Sequence, residues 1–419
     1  MFGLGARVVA ALTAAITVSA IAGATVSFAQ KPADVGTDWP QWRGPRRDGS
    51  VDAALPAQWP AALTKRWEAS VGDGYASPVV SGNRVVVLSR EDEREIVRVL
   101  DAASGKEIWH AVYPAPYTVN SAAWSHGAGP KSTPAIAGGR VFTLGIGGVL
   151  SAFDLAGGAL LWRVPAPEVL PMYGAATSPL IDGASVIVHV GGYGKGALTS
   201  FDAATGKARW QWTGDGPGSG SPIIATIGGV RQVIAQTQKL LVGLDASTGT
   251  LLWQLPFTDD FDQNAFTPLA VQDLLIVSGV DWPLAAIRPK RDGGKWTAEI
   301  AWTNSQTPMF MSSPVLIGGT IYGLSTRNKG QFVAIDAASG KTLWTTPGRE
   351  GENASILGSS SWLLASTTDG NFVVARANAQ KYDEVRRYQI APSAVWAHPA
   401  IVGRSIIVKD VDTVICWGF

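Results

Sequence analysis

The side chains able to do chemistry in this 419-residue chain are few and scattered. Its four histidines, His110, His126, His189 and His398, lie far apart, without the short spacing that puts two ligands on one metal ion. Asp259, Asp260 and Asp262 lack the glycine and terminal glutamate of a calcium loop. Gly216-Pro-Gly-Ser-Gly220 leads into a strand pattern and so lacks the helix N-terminus that cradles phosphate. No Gly-x-Ser-x-Gly elbow occurs in a strand-to-helix context, which argues against a Ser-His-Asp hydrolase. Cys416 is the only cysteine, so no internal disulfide forms, and it reads as a core thiol on the final strand. What remains is recognition chemistry. Tyr75, Trp124, His126, Met172, Tyr173, Phe266, Met309, Phe310 and Trp396 make an aromatic and methionine-bearing set, the residue types of a binding rim.

These residues share one feature: each falls in a segment leading into the next unit of a repeat. Asp101, Gly105 and Trp109 open the series. Asp154, Gly158 and Trp162 follow with the same spacing, as do Asp202, Gly206 and Trp210. Asp245, Gly249 and Trp253, then Asp336, Gly340 and Trp344, complete it. A period of roughly 45 residues marks a repeat architecture. Alternating apolar runs flank each Asp-x-x-x-Gly, which describes a β-hairpin. The Asp accepts hydrogen bonds from turn amides, and Gly takes a positive φ without a Cβ clash. The Trp buries a large face on the outer strand as a wedge against the next unit. A carboxylate that recurs once per repeat is a turn former, so this set is structural.

A second mark is Ser/Thr-Pro ahead of an apolar run: Ser77-Pro78, Thr133-Pro134, Ser178-Pro179, Ser221-Pro222, Thr267-Pro268 and Ser313-Pro314. Proline at the first residue of a strand costs no ladder bond. Extending the period puts a start near Ser359–Ser361 and another at His398-Pro399, eight in all. The outer aromatics, ending with Trp302, Trp344 and Tyr388, also number eight when Trp67 is included. The fold expected is all-β: an eight-bladed β-propeller of four-stranded antiparallel blades. Leu63–Trp67 would pair in the last blade beside Thr413–Phe419 and close the ring. Blades five and seven lack the Asp turn, with Arg288–Gly294 and Tyr382–Tyr388 in its place.

The recurring Asp-x-x-[ST]-Gly-Lys-x-x-Trp unit resembles the PQQ-like, quinoprotein-type propeller repeat over about residues 63–419. That superfamily includes PQQ-dependent alcohol dehydrogenases and BamB-like barrel-assembly components. Asp38–Gly49 also resembles the leading segment of many bacterial members. The resemblance implies an extracytoplasmic bacterial protein and is nearly silent on activity. The expected function is a non-catalytic scaffold in the cell envelope, binding an envelope protein or a small ligand at the propeller mouth. The alternative is a PQQ-dependent dehydrogenase oxidising an alcohol or sugar, with PQQ and calcium as cofactors. Such enzymes typically carry an adjacent Cys-Cys disulfide, which Cys416 alone cannot form, and no Cys-x-x-Cys-His haem motif is present. No catalytic, metal or cofactor residue is therefore named.

Residues 1–29, with Arg7, an apolar run from Val8 to Val26 and Ser27-Phe-Ala29, read as a secretory signal peptide cleaved before Gln30. An uncleaved membrane anchor is the alternative reading. No cysteine lies there for lipid attachment, unlike the usual BamB-like protein, so a periplasmic or secreted monomer without a membrane span is expected. A net charge of +1 argues against a nucleic-acid partner. Residues 30–62 read as an extended Trp- and Pro-rich segment whose tryptophans dock on the propeller (63–419). Arg43, Arg46 and Arg47 would be exposed or paired to acidic rims.

Overall fold

The computed structural model describes residues 1–2, 38–258, 263–280 and 282–419. The leader reading beyond its first two residues, the start of the 30–62 segment, and Asp259, Asp260 and Asp262 lie outside the described residues.

Eight four-stranded antiparallel sheets form the blades of a propeller, and seven of them are built from four consecutive strands. Blades one to seven span residues 79–114, 135–164, 180–212, 223–256, 269–304, 315–345 and 354–389. Blade eight combines three C-terminal strands with Thr64–Ser70, which pairs with Thr413–Gly418. This pairing completes the fourth strand of blade eight, so every blade is four-stranded and the first and last strands of the propeller are held in one sheet. Two short 3-10 helices, Ser121–His126 and Arg327–Lys329, are the only helical elements among the described residues.

Seven of the eight innermost strands begin one residue after the proline of Ser/Thr-Pro or His-Pro, as at Val79, Leu180 and Ala400. The hydroxyl does more than mark the start. Ser77 Oγ accepts from His398 N, Thr133 Oγ1 from Ser77 N, and Ser178 Oγ from Thr133 N. Ser221, Thr267 and Ser313 continue the belt from blade to blade. Blade seven breaks it. Its inner strand is Ala354–Gly358, and Ser359–Ser361 forms the following turn rather than the start expected.

The Asp-x-x-x-Gly hairpins form as expected. Asp101 Oδ1 accepts from Ser104 N at 2.9 Å, and Gly105 takes φ +70°. Each glycine also lies against the indole of the preceding blade: Gly105 on Trp67, Gly158 on Trp109, Gly206 on Trp162, Gly249 on Trp210 and Gly340 on Trp302. Each of these Trp Nε1 groups donates to a carbonyl just past the neighbouring Asp, as from Trp67 to Ala102 O at 2.9 Å. A β-bulge beside every such Trp, as between Val99 and Leu100 opposite Trp109, sharpens the twist that aims the ring.

Where the turn is missing, the lock survives at blade seven, whose Asn378 O accepts from Trp344 Nε1, and changes at blade five. Trp253 faces blade five and instead donates to Gln232 Oε1 of its own blade, while Trp296 from the long Arg288–Glu299 hairpin packs over Gly228. In blade seven the register puts Arg386, not Tyr388, at the Trp position, because the bulge lies between Val374 and Ala375. Tyr388 therefore counts with the aromatics but not at their place. Its hydroxyl bonds Pro60 O, and Trp59 fills the gap between blades seven and eight against Trp362, Tyr388 and Phe419.

Candidate functional site

The innermost strands converge on a central channel with one hydrogen-bonding edge unpaired, so their carbonyls need partners. Residues 38–53 supply them. Far from extended, this stretch coils through a series of turns and plugs the channel. Trp39 exchanges two backbone bonds with Val80, Pro40 O accepts from Ile136 N, and Val51 N donates to Gly358 O. Arg47 reaches Ser178 O, Pro179 O and Pro222 O, and Arg43 reaches Pro314 O.

These two arginines are buried, 1% and 4% exposed, which corrects the expectation that they sit at the surface. Each planar guanidinium fork serves several divergent carbonyls at once. Burial pushes Arg43 down to about 10 and Arg47 to about 9. Only Arg46 is exposed, paired with Asp52. Asp38 meets Gly82, just past the far end of one inner strand, and Val51 meets Gly358, the last residue of another. Trp42 instead meets Thr267 and His398, where inner strands begin. The loop thus enters and leaves at one face, and its apex, Trp42, makes the floor of a cavity at the other.

That cavity measures about 320 Å³. Its wall is largely one repeat position, the residue two before Ser/Thr-Pro. Tyr75, Lys131, Met311 and Trp396 occupy it with large side chains. Ala176, Ser219 and Ala265 occupy it with small ones, so the room lies over blades three to five. Tyr173 and Gln263 close that side, the amide donating to the Tyr173 hydroxyl at 3.0 Å. His126 stands edge-on to Trp396 at 4.9 Å, with Tyr75 within 6.3 Å of both. Two further recesses, about 590 and 370 Å³, share walls with it through His126, Trp396 and Tyr173, and both reach Phe310.

Charge in the cavity is one-sided. Lys131 donates to Tyr173 O at 2.8 Å, and burial lowers its ammonium to about 8. Burial, then Lys131, lowers His126, against a smaller opposing pull from Glu352. His398 is buried and driven well down by desolvation and by Arg43. Burial, with the Asp73 charge, raises the Tyr75 phenol.

Of the nine residues expected at the rim, the structure brings Tyr75, His126, Tyr173 and Trp396 into the cavity and Phe310 into its side recesses. Trp124, 73% exposed, and Met172 project outside it. Phe266 and Met309 are not at the mouth. Both are fully buried in the apolar cluster between blades five and six, where Gly323 leaves space for the Met309 thioether. Sequence reasoning missed Lys131, Gln263 and the floor role of Trp42. The first had a signal: it holds the same offset from Thr133-Pro134 as Tyr75 does from Ser77-Pro78.

Among the described residues no group of three or more His, Cys, Asp or Glu is placed to hold a metal ion. Cys416 is the lone cysteine and is buried, so the adjacent Cys-Cys pair expected over PQQ has no counterpart, and no acidic cluster among the described residues is placed to hold its calcium.

Comparison with known proteins agrees with the architecture. The crystal structure of BamB from Moraxella catarrhalis superposes with a TM-score of 0.60 at 18% identity, covering 86% of this chain and 98% of that one. Quinohemoprotein alcohol dehydrogenase from Comamonas testosteroni gives 0.56 at 15% identity, covering 92% and 81%. Both show the fold alone. The outer membrane protein assembly factor BamB of Shewanella oneidensis is 22% identical over 294 residues, 67% of this chain but only 60% of that relative's length. The family model described as outer membrane protein assembly factor BamB matches residues 93–346, more than half of the sequence, and the chain therefore belongs to the BamB family.

Proposed function

We propose that this protein is an exported, non-catalytic scaffold of the bacterial cell envelope that presents its propeller mouth to a protein partner. The observation that carries the reading is the family match, joined to an apolar, exposed Trp124 and Met172 beside an aromatic cavity. Relatives named as outer membrane assembly factors make a component of that assembly the first partner class to examine. The position of Trp124 supports the mouth as the docking face. It sits on the Ser121–His126 helix, capped by Asn120, where a large indole is held out in water. Exposed tryptophans of this kind are frequent anchors at interfaces. No described helix is long and apolar enough to cross a membrane.

Affinity capture from envelope extracts, repeated with Trp124→Ala and Trp396→Ala, tests the proposal. Loss of the same partner from both variants supports the mouth; unchanged capture by both rules it out. The dehydrogenase reading rests on the likeness of fold to quinohemoproteins. Dye-linked alcohol oxidation that requires added PQQ and calcium would establish it in place of the scaffold.

A further inference from the structure

We infer that the mouth cavity takes a small organic anion, its apolar body lying among Trp42, Tyr75 and Trp396 and its charged group meeting the Lys131 ammonium. The inference rests on the mouth being the binding face, and it names the ligand class for the cavity inside the partner-docking rim. Three observations carry it.

Seven blades, those whose inner strand follows a proline, each set the cavity wall with this one position, and Lys131 is the only charged residue among the seven; blade seven contributes Asn353, Ser355 and Thr368 instead. No carboxylate lines the cavity among the described residues. The acids nearby lie outside it: Glu352 and Asp369 line the adjoining recess with Lys329 and Arg349, and Asp73 flanks Tyr75. An ammonium carries three N–H donors, and Lys131 spends one of them on Tyr173 O.

Beneath the Trp42 floor lie two more cations, Arg43 and Arg47, bonded to carbonyls and the Gln41 amide rather than to a carboxylate. The nearest acid, Asp48, is shared with Arg46 and Ser50. The charge on Arg43 bears on Arg47 in this dry setting, so an anion resting on the Trp42 floor lies over a net positive base.

Third, the remaining surface is aromatic and apolar. Trp42, Tyr75 and Trp396 surround a space of about 320 Å³ with Ala176 and Ala265 opposite, suited to a flat hydrocarbon body. A strongly hydrated inorganic ion would leave that surface unused.

A matched pair of dyes separates charge from shape: anilinonaphthalene sulfonate, an anion, and N-phenylnaphthylamine, the same skeleton without the sulfonate. The expected result is one-to-one binding of the sulfonate with quenching of tryptophan emission. Lys131→Gln should weaken it by about tenfold or more, the worth of one charge-assisted hydrogen bond, and change the neutral dye by less than about twofold. Trp396→Ala should weaken both dyes. Near-ultraviolet circular dichroism of each variant confirms the native fold. Equal affinity for the two dyes, or no effect of Lys131→Gln on the sulfonate, overturns the inference; so does failure of the folded protein to bind either dye. Partner capture is measured separately, so a cavity that fails the dye test leaves the scaffold reading standing, and the two failures are told apart.

Discussion

The indole of Trp67 in blade eight occupies the space where a side chain on Gly105 of blade one would lie. A Cβ on Gly105 would stand 2.6 Å from Trp67 Cε3. The same pairing recurs at Gly158, Gly206, Gly249 and Gly340, so one residue type answers two demands, a left-handed turn and a flat seat for the neighbouring ring.

Gly105→Ala should therefore cost more than turn strain. Gly82 supplies the control, since it has φ +56° and nothing within 4 Å of its missing Cβ. Gly82→Ala should lose about 1–2 kcal/mol from left-handed strain alone. Gly105→Ala should lose about 2 kcal/mol more by displacing Trp67. Urea denaturation of both variants reads the difference, and equal losses would mean that the ring yields freely.

Arg47→Met should open the channel plug. Ser178 O, Pro179 O and Pro222 O each lose a donor, and an unsatisfied buried carbonyl costs about 1–3 kcal/mol. Hydrogen exchange should quicken across residues 38–53 before it quickens in the outer strands. Arg47→Lys should restore only part of the protection, because a lysine stem is shorter and lacks the planar fork whose separated nitrogens meet carbonyls of two blades.

Trp59→Ala should loosen the seam between blades seven and eight. The ring is 3% exposed and packs on Trp362, Phe372, Tyr388 and Phe419. Removing it should cost about 3–5 kcal/mol. Limited proteolysis should then cut near residues 53–63 sooner than in the native protein.

Glu95 predicts a pH effect of definite sign. Its buried carboxylate accepts from Tyr113 Oη at 2.7 Å and Ile146 N at 2.6 Å, and burial raises its pKa above the usual 4.5. The folded protein then holds this proton at a pH where the unfolded chain has released it. Through this group, stability rises as pH falls from neutrality toward the ordinary carboxylate value. Glu95→Gln removes the buried charge, so it should match or exceed the native protein at pH 7. Its advantage should shrink as pH falls through that window. Melting temperatures of the pair, followed from pH 7 to 4, give the difference directly, and a gap that stays constant with pH contradicts the assignment.

Much of the site was legible once the repeat was aligned. Tyr75 and Trp396 share one offset from their Pro-marked strand starts, and the cavity is built on that offset. Phe266 and Met309 misled because neighbours in sequence face different ways: Met311 reaches the cavity while Met309 turns between the blades. Tyr388 misled for a related reason, since a bulge moved the register by which blade seven presents its outer face. Residue type alone carries neither direction.

The sequence by itself determined a ring of eight blades. Asp turns, left-handed glycines, Pro-led strands and wedge tryptophans are choices made within one hairpin, and their repetition at a constant period sets the number of blades and the closing strand. Only the tertiary structure decided what fills the channel and where the charge lies. Arg47 lies 175 residues from Pro222 in sequence and within hydrogen-bonding distance of it in the fold. Such partners meet only after the blades close, so no local pattern of residues announces them.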